Sequence, residues 1–409
     1  MKRHHERFAI LGIFIIGLAL RVIWSWPALT GVDGFSQGDD DDYYRLGMSL
    51  AQTGTLADNG KLTAYRMPFF PITIAPFHYF LGAAPHAAQP LIVLLSALTC
   101  VGAYLLGREL FQAEVGLVAG CLIAINIPLV IYSRQLMTET LFVFLVLAGM
   151  LSLERVRKTQ RWSWAIAAGV ILGLATLTRA NFGPFVLFAL AWLLFYTRQQ
   201  IRVALRNIAI IAGLVGILWG GWVVRNYIVF DAFIPFTTQG GNAYYGIYND
   251  TSAQLPDGFF GSWINRLPPV PSSTRDAWSE VDLDRLGKSL AFDWIKAHPT
   301  LSAKIALMQA VYFWWPGEGD ILFHWLAPLA LIGLILAVRQ RNPGAILWLI
   351  LAGVFTVMAI ASVGVGRYQL PLYPIMSVLI AVPCVMVWQR ATARSVRMQQ
   401  IVRQRDEGV

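Results

Sequence analysis

Apolar stretches near 20 residues recur along the whole chain, separated by short polar clusters and by two long mixed segments. A run of that length crosses ~30 Å of hydrocarbon as a single helix. The pattern predicts ten spans, at about 8–27, 88–107, 115–132, 138–153, 162–178, 182–197, 208–229, 321–338, 344–362 and 369–388. The long segments, 28–87 and 230–320, fall on one side. In the second, Trp278, Val281, Leu283, Leu286, Leu290 and Trp294 recur at helical spacing, which predicts an amphipathic surface helix over 276–298. The run 301–316 is short and ends in Trp314-Trp315-Pro316, an interfacial signature, and reads as interfacial or re-entrant. Three prolines break the apolar run 67–82, which reads as lying in the interface without crossing.

Composition agrees with a lipid solvent. Of 409 residues 56% are hydrophobic and 13% charged, and mean hydropathy is +0.56. A soluble surface needs far more charge. The formal charge of +9 could suggest nucleic acid, but the basic residues sit in short clusters between apolar runs, as the positive-inside rule expects. With the N-terminus inside, inner segments hold 18 of the 32 lysines and arginines and six of the 23 acids. The outer segments hold 13 basic residues and 17 acids. Both termini are therefore expected in the cytoplasm. The first apolar run is too long for a signal core and no A-x-A-like site follows, so it reads as a retained span. Cys100, Cys121 and Cys384 lie inside apolar segments and read as small buried hydrophobes. The chain divides into an N-terminal membrane half, 1–229, an outer segment, 230–320, and C-terminal spans with a basic tail, 321–409.

Candidate chemistry gathers on the outer side. Asp39-Asp40-Asp41-Asp42 stand just before a helical stretch, where carboxylates suit the helix N-terminus. Their mutual repulsion should raise at least one pKa, giving a general base; they could equally bind a divalent cation or form a solvated acidic turn. A short outer loop, 133–139, sets Arg134 and Glu139 at the membrane surface, with Thr138 or Ser133 suited to cap the next helix. Arg66, Arg179, Arg225 and Arg367 lie beside outer span ends. Phenols adjoin two of them, Tyr65 and Tyr368. Each arginine singly suits snorkelling, and together they suit a phosphate at headgroup level. No phosphate loop, dinucleotide fingerprint, zinc spacing or nucleophile elbow is found.

These motifs resemble the GT-C membrane glycosyltransferases of the protein-mannosyltransferase and aminoarabinose-transferase type over nearly the full length. The resemblance is carried by Asp39-Asp40-Asp41-Asp42-Tyr43 with Gly47, by Tyr65-Arg66-Met67-Pro68-Phe69-Phe70-Pro71, and by Glu139 in its S-R-x-x-x-x-E-x-L context. Leu177-Thr178-Arg179, then Trp222 with Arg225-Asn226-Tyr227 and Gly240-Gly241-Asn242, and finally Arg367-Tyr368-Gln369-Leu370-Pro371 follow in the same order. The resemblance implies an all-α bundle of about ten transmembrane helices with interfacial helices in its outer segments. It implies inverting transfer of a sugar from a polyprenyl phosphate to an acceptor hydroxyl on a glycan, lipid or protein. The base would be Asp39, or Asp40 given the repeated aspartates. Glu139 would be a second carboxylate near the acceptor or a divalent cation held with Asp39 and Asp40. Arg66, Arg367, Tyr368, Arg179 and Arg134 would hold the donor phosphate, and Tyr43, Tyr65, Arg225 and Asn242 would contact substrate. The setting implied is a bacterial inner membrane with the site outside the cytoplasm. A transporter or flippase of lipid-linked sugars would also need many spans, but would place ionisable residues at mid-membrane depth; Arg21 is the main one within a span. A non-catalytic assembly protein is a third reading.

Overall fold

A computed structural model describes residues 3–32, 38–255, 261–264, 278–315 and 321–406. Positions 276–277 of the expected surface helix, and Pro316, lie outside them. The described chain is almost entirely helical. On the N-terminal side lie α1 (Arg3–Leu29), α2 (Asp39–Thr53), α3 (Phe69–Leu81), α4 (Gln89–Leu110), α5 (Ala113–Ala124), α6 (Ile127–Ile131), α7 (Thr138–Thr159), α8 (Trp162–Thr178), α9 (Gly183–Thr197) and α10 (Ile201–Phe230). Then come α11 (Gly240–Tyr245), α12 (Asp250–Ala253), α13 (Glu280–Ala297), α14 (Pro299–Trp314), α15 (Ile321–Trp325), α16 (Ala327–Arg339), α17 (Pro343–Ala361) and α18 (Tyr373–Asp406). A two-stranded hairpin pairs Ala57 with Leu62 and Asp58 with Lys61.

Among the described residues, by length and composition five helices can cross a membrane, or six if α5 and the run Ile127–Arg134 form one bent span. One of the five, Ala180–Phe230, is a 51-residue run. It contains α9 and α10, which pack on each other across the 3-10 turn Arg198–Gln200. Shorter apolar helices are α3, α8 and α16. The exterior carries many large apolar side chains: Ile23 is 72%, Ile217 72% and Ile228 76% exposed. Water would not tolerate such faces, whereas a bilayer solvates them. The same logic corrects the cysteines. Cys100 is buried, but Cys121 and Cys384 are exposed on outward helix faces, where an apolar side chain loses nothing in lipid.

The core centres on α4, which packs against α1, α5, α7 and α18. A Cβ on Gly107 would come within 2.8 Å of Gly116 Cα, so paired glycines let α4 and α5 approach backbone to backbone. The amphipathic stretch forms the helix α13, and 67–82 holds the short α3. Two local expectations fail. The run 115–132 is broken, with a 56° bend. Pro128 in the first turn of α6 lacks an N–H, and Asn126 caps that turn by accepting the Leu129 N–H at 2.9 Å. Neither Thr138 nor Ser133 caps α7. Met137 holds the N-cap position and Thr138 is already helical, while the Ser133 hydroxyl donates back to the Val130 carbonyl at 2.6 Å.

Candidate active site

The four aspartates form the first turn of α2. Helical spacing then sorts them. Asp39 and Asp42, three residues apart, share a face, and both accept from Arg66 Nη2, at 2.5 and 2.7 Å. Asp41 and Asp42 pair with Arg45 one turn on, and Arg45 Nε reaches Asp58 at 2.9 Å. Asp40 is buried, and its Oδ1 accepts the Asp41 N–H at 3.1 Å.

The other oxygen of Asp39 accepts from Arg367 Nη2 at 2.9 Å. Arg367 Nε stands 3.9 Å from Glu139 Oε1, which also meets Arg179 Nη1 at 3.1 Å. An alternating chain results: Arg66, Asp39, Arg367, Glu139, Arg179. It draws on α2, the loop before α3, the 3-10 segment Gly366–Leu372, the start of α7 and the end of α8. Aromatic rings sheath the cations. Tyr43 and Tyr65 each lie 5.2 Å from the Arg66 guanidinium, and Tyr368 lies 4.7 Å from Arg179 and 5.5 Å from Arg367.

Burial pushes the Asp39 carboxyl up, but Arg66 and Arg367 outweigh it and hold it below the usual aspartate value. Asp39 is therefore not an aspartate raised by carboxylate repulsion: its guanidinium partners lower it. Being depressed, this group stabilises the fold at pH above the ordinary aspartate range. That contribution is lost as pH falls through its own pKa.

The chain of charges lines a cavity of about 1570 Å³. The polar centre also holds Tyr132 and Thr138. An apolar side runs along Pro184, Leu187, Val215, Trp219, Phe233 and Phe236. A third side, toward the outer segment, carries Asn242, Tyr244, Trp263, Asp284, Arg285 and Lys288. Its wall is α11 packed on α13 at a glycine crossing, since a Cβ on Gly241 would sit 2.3 Å from the Asp284 carbonyl oxygen. Asp284 accepts the Gly241 N–H at 2.6 Å and pairs with Lys288 at 2.6 Å. The Asn242 amide donates to the Tyr65 hydroxyl at 3.0 Å. Asn242 Oδ1, Asn181 Oδ1 and Arg66 Nε are buried without a partner, so the cavity offers unsatisfied polar atoms to a ligand.

The cavity thus brings together Asp39, Asp40, Glu139, Arg66, Arg367, Tyr368, Arg179, Tyr43, Tyr65 and Asn242. Two expected members stand elsewhere. Arg225 donates to the Thr63 carbonyl at 2.9 Å and the Leu56 carbonyl at 3.3 Å, bracing the first outer segment. Arg134 lies over Trp24, 5.8 Å from its ring. Tyr132, Asp284 and Lys288 were not anticipated as members of the site; Asp42, one of the four candidate aspartates, lines the cavity beside Asp39. Among the described residues no three His, Cys, Asp or Glu side chains are placed to hold a metal. A cation on Asp39 and Glu139 would have to displace Arg367. These residues do not fit a metal, and guanidiniums supply the positive charge.

Residues 66–222 match the family described as dolichyl-phosphate-mannose-protein mannosyltransferase. No curated protein matches. The Archaeoglobus fulgidus oligosaccharyltransferase in its apo form superposes with TM-score 0.57 at 17% identity, covering 97% of this chain and 52% of that one. The same organism's oligosaccharyltransferase AglB, in complex with an inhibitory peptide and a dolichol-phosphate, gives 0.59 at 14% identity, covering 96% and 52%. ArnT from Cupriavidus metallidurans bound to undecaprenyl phosphate gives 0.45 at 14% identity, covering 90% and 77%. The chain spans about half the length of the oligosaccharyltransferase structures. Its fold is that of the GT-C membrane glycosyltransferases, an all-helical membrane bundle.

Proposed function

We propose that this GT-C chain transfers a sugar from a polyprenyl phosphate to an acceptor hydroxyl at the outer face of a bacterial inner membrane. The observation that carries the reading is the chain Arg66–Asp39–Arg367–Glu139–Arg179 inside one cavity with an apolar side. Support also comes from the match of 66–222 to a family named for a dolichyl-phosphate sugar donor.

In this reading Asp39 takes the proton of the acceptor hydroxyl. The oxygen attacks the anomeric carbon from the side opposite the phosphate, so the product is inverted. The bond between that carbon and the phosphate oxygen breaks, and its electron pair stays on the polyprenyl phosphate. The phosphate thereby gains one negative charge, which Arg66, Arg367 and Arg179 neutralise. Glu139 keeps Arg179 and Arg367 aimed at the centre. The lipid chain lies along Pro184, Leu187, Val215 and Phe236. The acceptor enters past Asn242, Tyr65 and Trp263.

Both oxygens of Asp39 are engaged by arginines that the donor phosphate must also engage. Donor binding draws them off the carboxylate, so the base strengthens only once the donor is present. The pH profile should record this. For kcat/KM, which reports free enzyme, the acid limb should fall below the ordinary aspartate pKa of ~3.9. For kcat it should move to higher pH. Coincident limbs would contradict the sharing of Arg66 and Arg367.

The direct test is purified protein in nanodiscs with labelled polyprenyl-phosphate sugars, reading release of polyprenyl phosphate and the anomeric configuration of the product. Absence of release with any donor would refute the reading. The apolar side has its own check. A Cβ on Gly183 would lie 3.4 Å from the Phe236 ring, so Gly183→Leu fills that side. KM should rise about tenfold for a long-chain donor, from lost apolar burial, and much less for a short-chain analogue. Equal rises for the two donors would move the lipid elsewhere.

A transporter reading gains nothing from Arg21. That side chain is fully buried and bound to neutral oxygens.

A further inference from the structure

Arg21 sits in α1 with no exposure. A buried charge at this depth requires strong partners, yet among the described residues no carboxylate meets it. Nη1 donates to Ala124 O and Gly17 O, each at 3.1 Å, and Nη2 donates to Ile123 O at 3.1 Å. Nε donates to Ser96 Oγ at 2.6 Å. Ile123 and Ala124 end α5, at the 56° break. The last carbonyls of a helix lack intrahelical partners, and the helix dipole makes that end negative. The broken helix therefore supplies the counter-charge that no acid provides.

The contact continues across the break. Ser96, on α4, donates its hydroxyl in turn to Leu129 O of α6 at 3.2 Å. One turn along α1, Ser25 meets the Ser133 hydroxyl at 3.2 Å, and the Gln89 amide donates to Ser133 O at 2.6 Å. Tyr132 and Glu139 leave this segment directly into the cavity, and Thr140 ties back to the Tyr132 carbonyl at 3.1 Å. Arg21 thus holds the α5 side of the bend directly and the α6 side through Ser96, and the angle of that bend decides where 132–139 arrives.

We propose that Arg21 is a positioning residue: by bridging the α5–α6 break it fixes the direction in which the chain delivers Tyr132 and Glu139 to the site. The test compares Arg21→Met and Arg21→Lys in nanodiscs, following hydrogen–deuterium exchange and turnover. In Arg21→Met, amide uptake should rise across 127–139 and stay unchanged across α3. Per folded molecule, kcat should fall about 100-fold, the cost of an ångström-scale misplacement, and donor KM should rise with it, because Glu139 aims Arg179 and Arg367. Arg21→Lys, which keeps the charge but reaches fewer oxygens, should recover part of kcat. Normal uptake and normal kcat in folded Arg21→Met would overturn the proposal, as would a loss confined to KM. Should Arg21→Met fail to insert, Ser96→Ala decides: it removes the Arg21 Nε contact and the link to Leu129, keeps the three carbonyl contacts of Arg21, and should shift both readouts in the same sense by less. The kinetic arm rests on the proposed transfer. If wild type turns over no donor, that reading fails while the exchange arm still decides this one.

Discussion

Asp39→Asn is expected to fold and insert normally and to lose about 10³-fold in kcat, within the range for removing a general base, or ~4 kcal/mol of transition-state stabilisation. Folding should survive because the neighbouring cations keep other partners. Arg66 retains Asp42 at 2.7 Å, and Arg367 and Arg179 retain Glu139. The amide carbonyl still accepts from one guanidinium but cannot take the acceptor's proton. Asp40→Asn is the control. Its carboxylate faces the Asp41 N–H, outside the arginine chain, and its loss should cost less than about tenfold. Transfer rates in reconstituted membranes decide. Wild-type rates in both variants would end the assignment of a base in this turn, and a dead Asp40→Asn beside an active Asp39→Asn would move the role by one residue.

The second large effect is expected at Arg367. This one side chain bridges Asp39 and Glu139 across segments 228 and 328 positions away in sequence. Arg367→Ala leaves two buried or half-buried carboxylates closer to each other's charge and removes a cation from the phosphate position. Losses of this kind cost 2–5 kcal/mol, or roughly 100-fold in donor KM. Acceptor KM should change far less, because the proposed acceptor side is the one lined by Asn242, Tyr65 and residues of α13. Arg367→Lys keeps the charge without the fork and should recover only part of the affinity. Initial rates over a grid of both substrates separate the two constants. Unchanged donor KM would remove Arg367 from the phosphate site.

Much of this architecture is local, and local patterns are what a sequence displays. Apolar runs, the interfacial α13 and the proline-limited α3 follow from composition over one helix length. The acidic start of α2 follows from dipole and spacing. The broken span at 125–126 was encoded by Asn126 and Pro128, but an uninterrupted apolar run masked it. Arg225 shows the opposite error. Its motif neighbours Trp222 and Asn226 are contiguous in sequence, yet direction from a helix decides function, and this arginine points to carbonyls of the first outer segment. Tyr132 and Asp284 were illegible for a simpler reason. Each reaches the cavity only through packing between distant segments, which no one-dimensional period records.

The apolar side of the cavity has walls that are also the outside of the protein: Leu187 is 70% and Phe233 71% exposed. In the proposed reading this exposed side faces the acyl chains. A hydrophobic donor and its spent carrier could enter and leave sideways without ever desorbing into water. Saturation would then be governed by their mole fraction among neighbouring lipids. Adding empty bilayer at constant bulk concentration should slow the reaction as surely as withdrawing substrate.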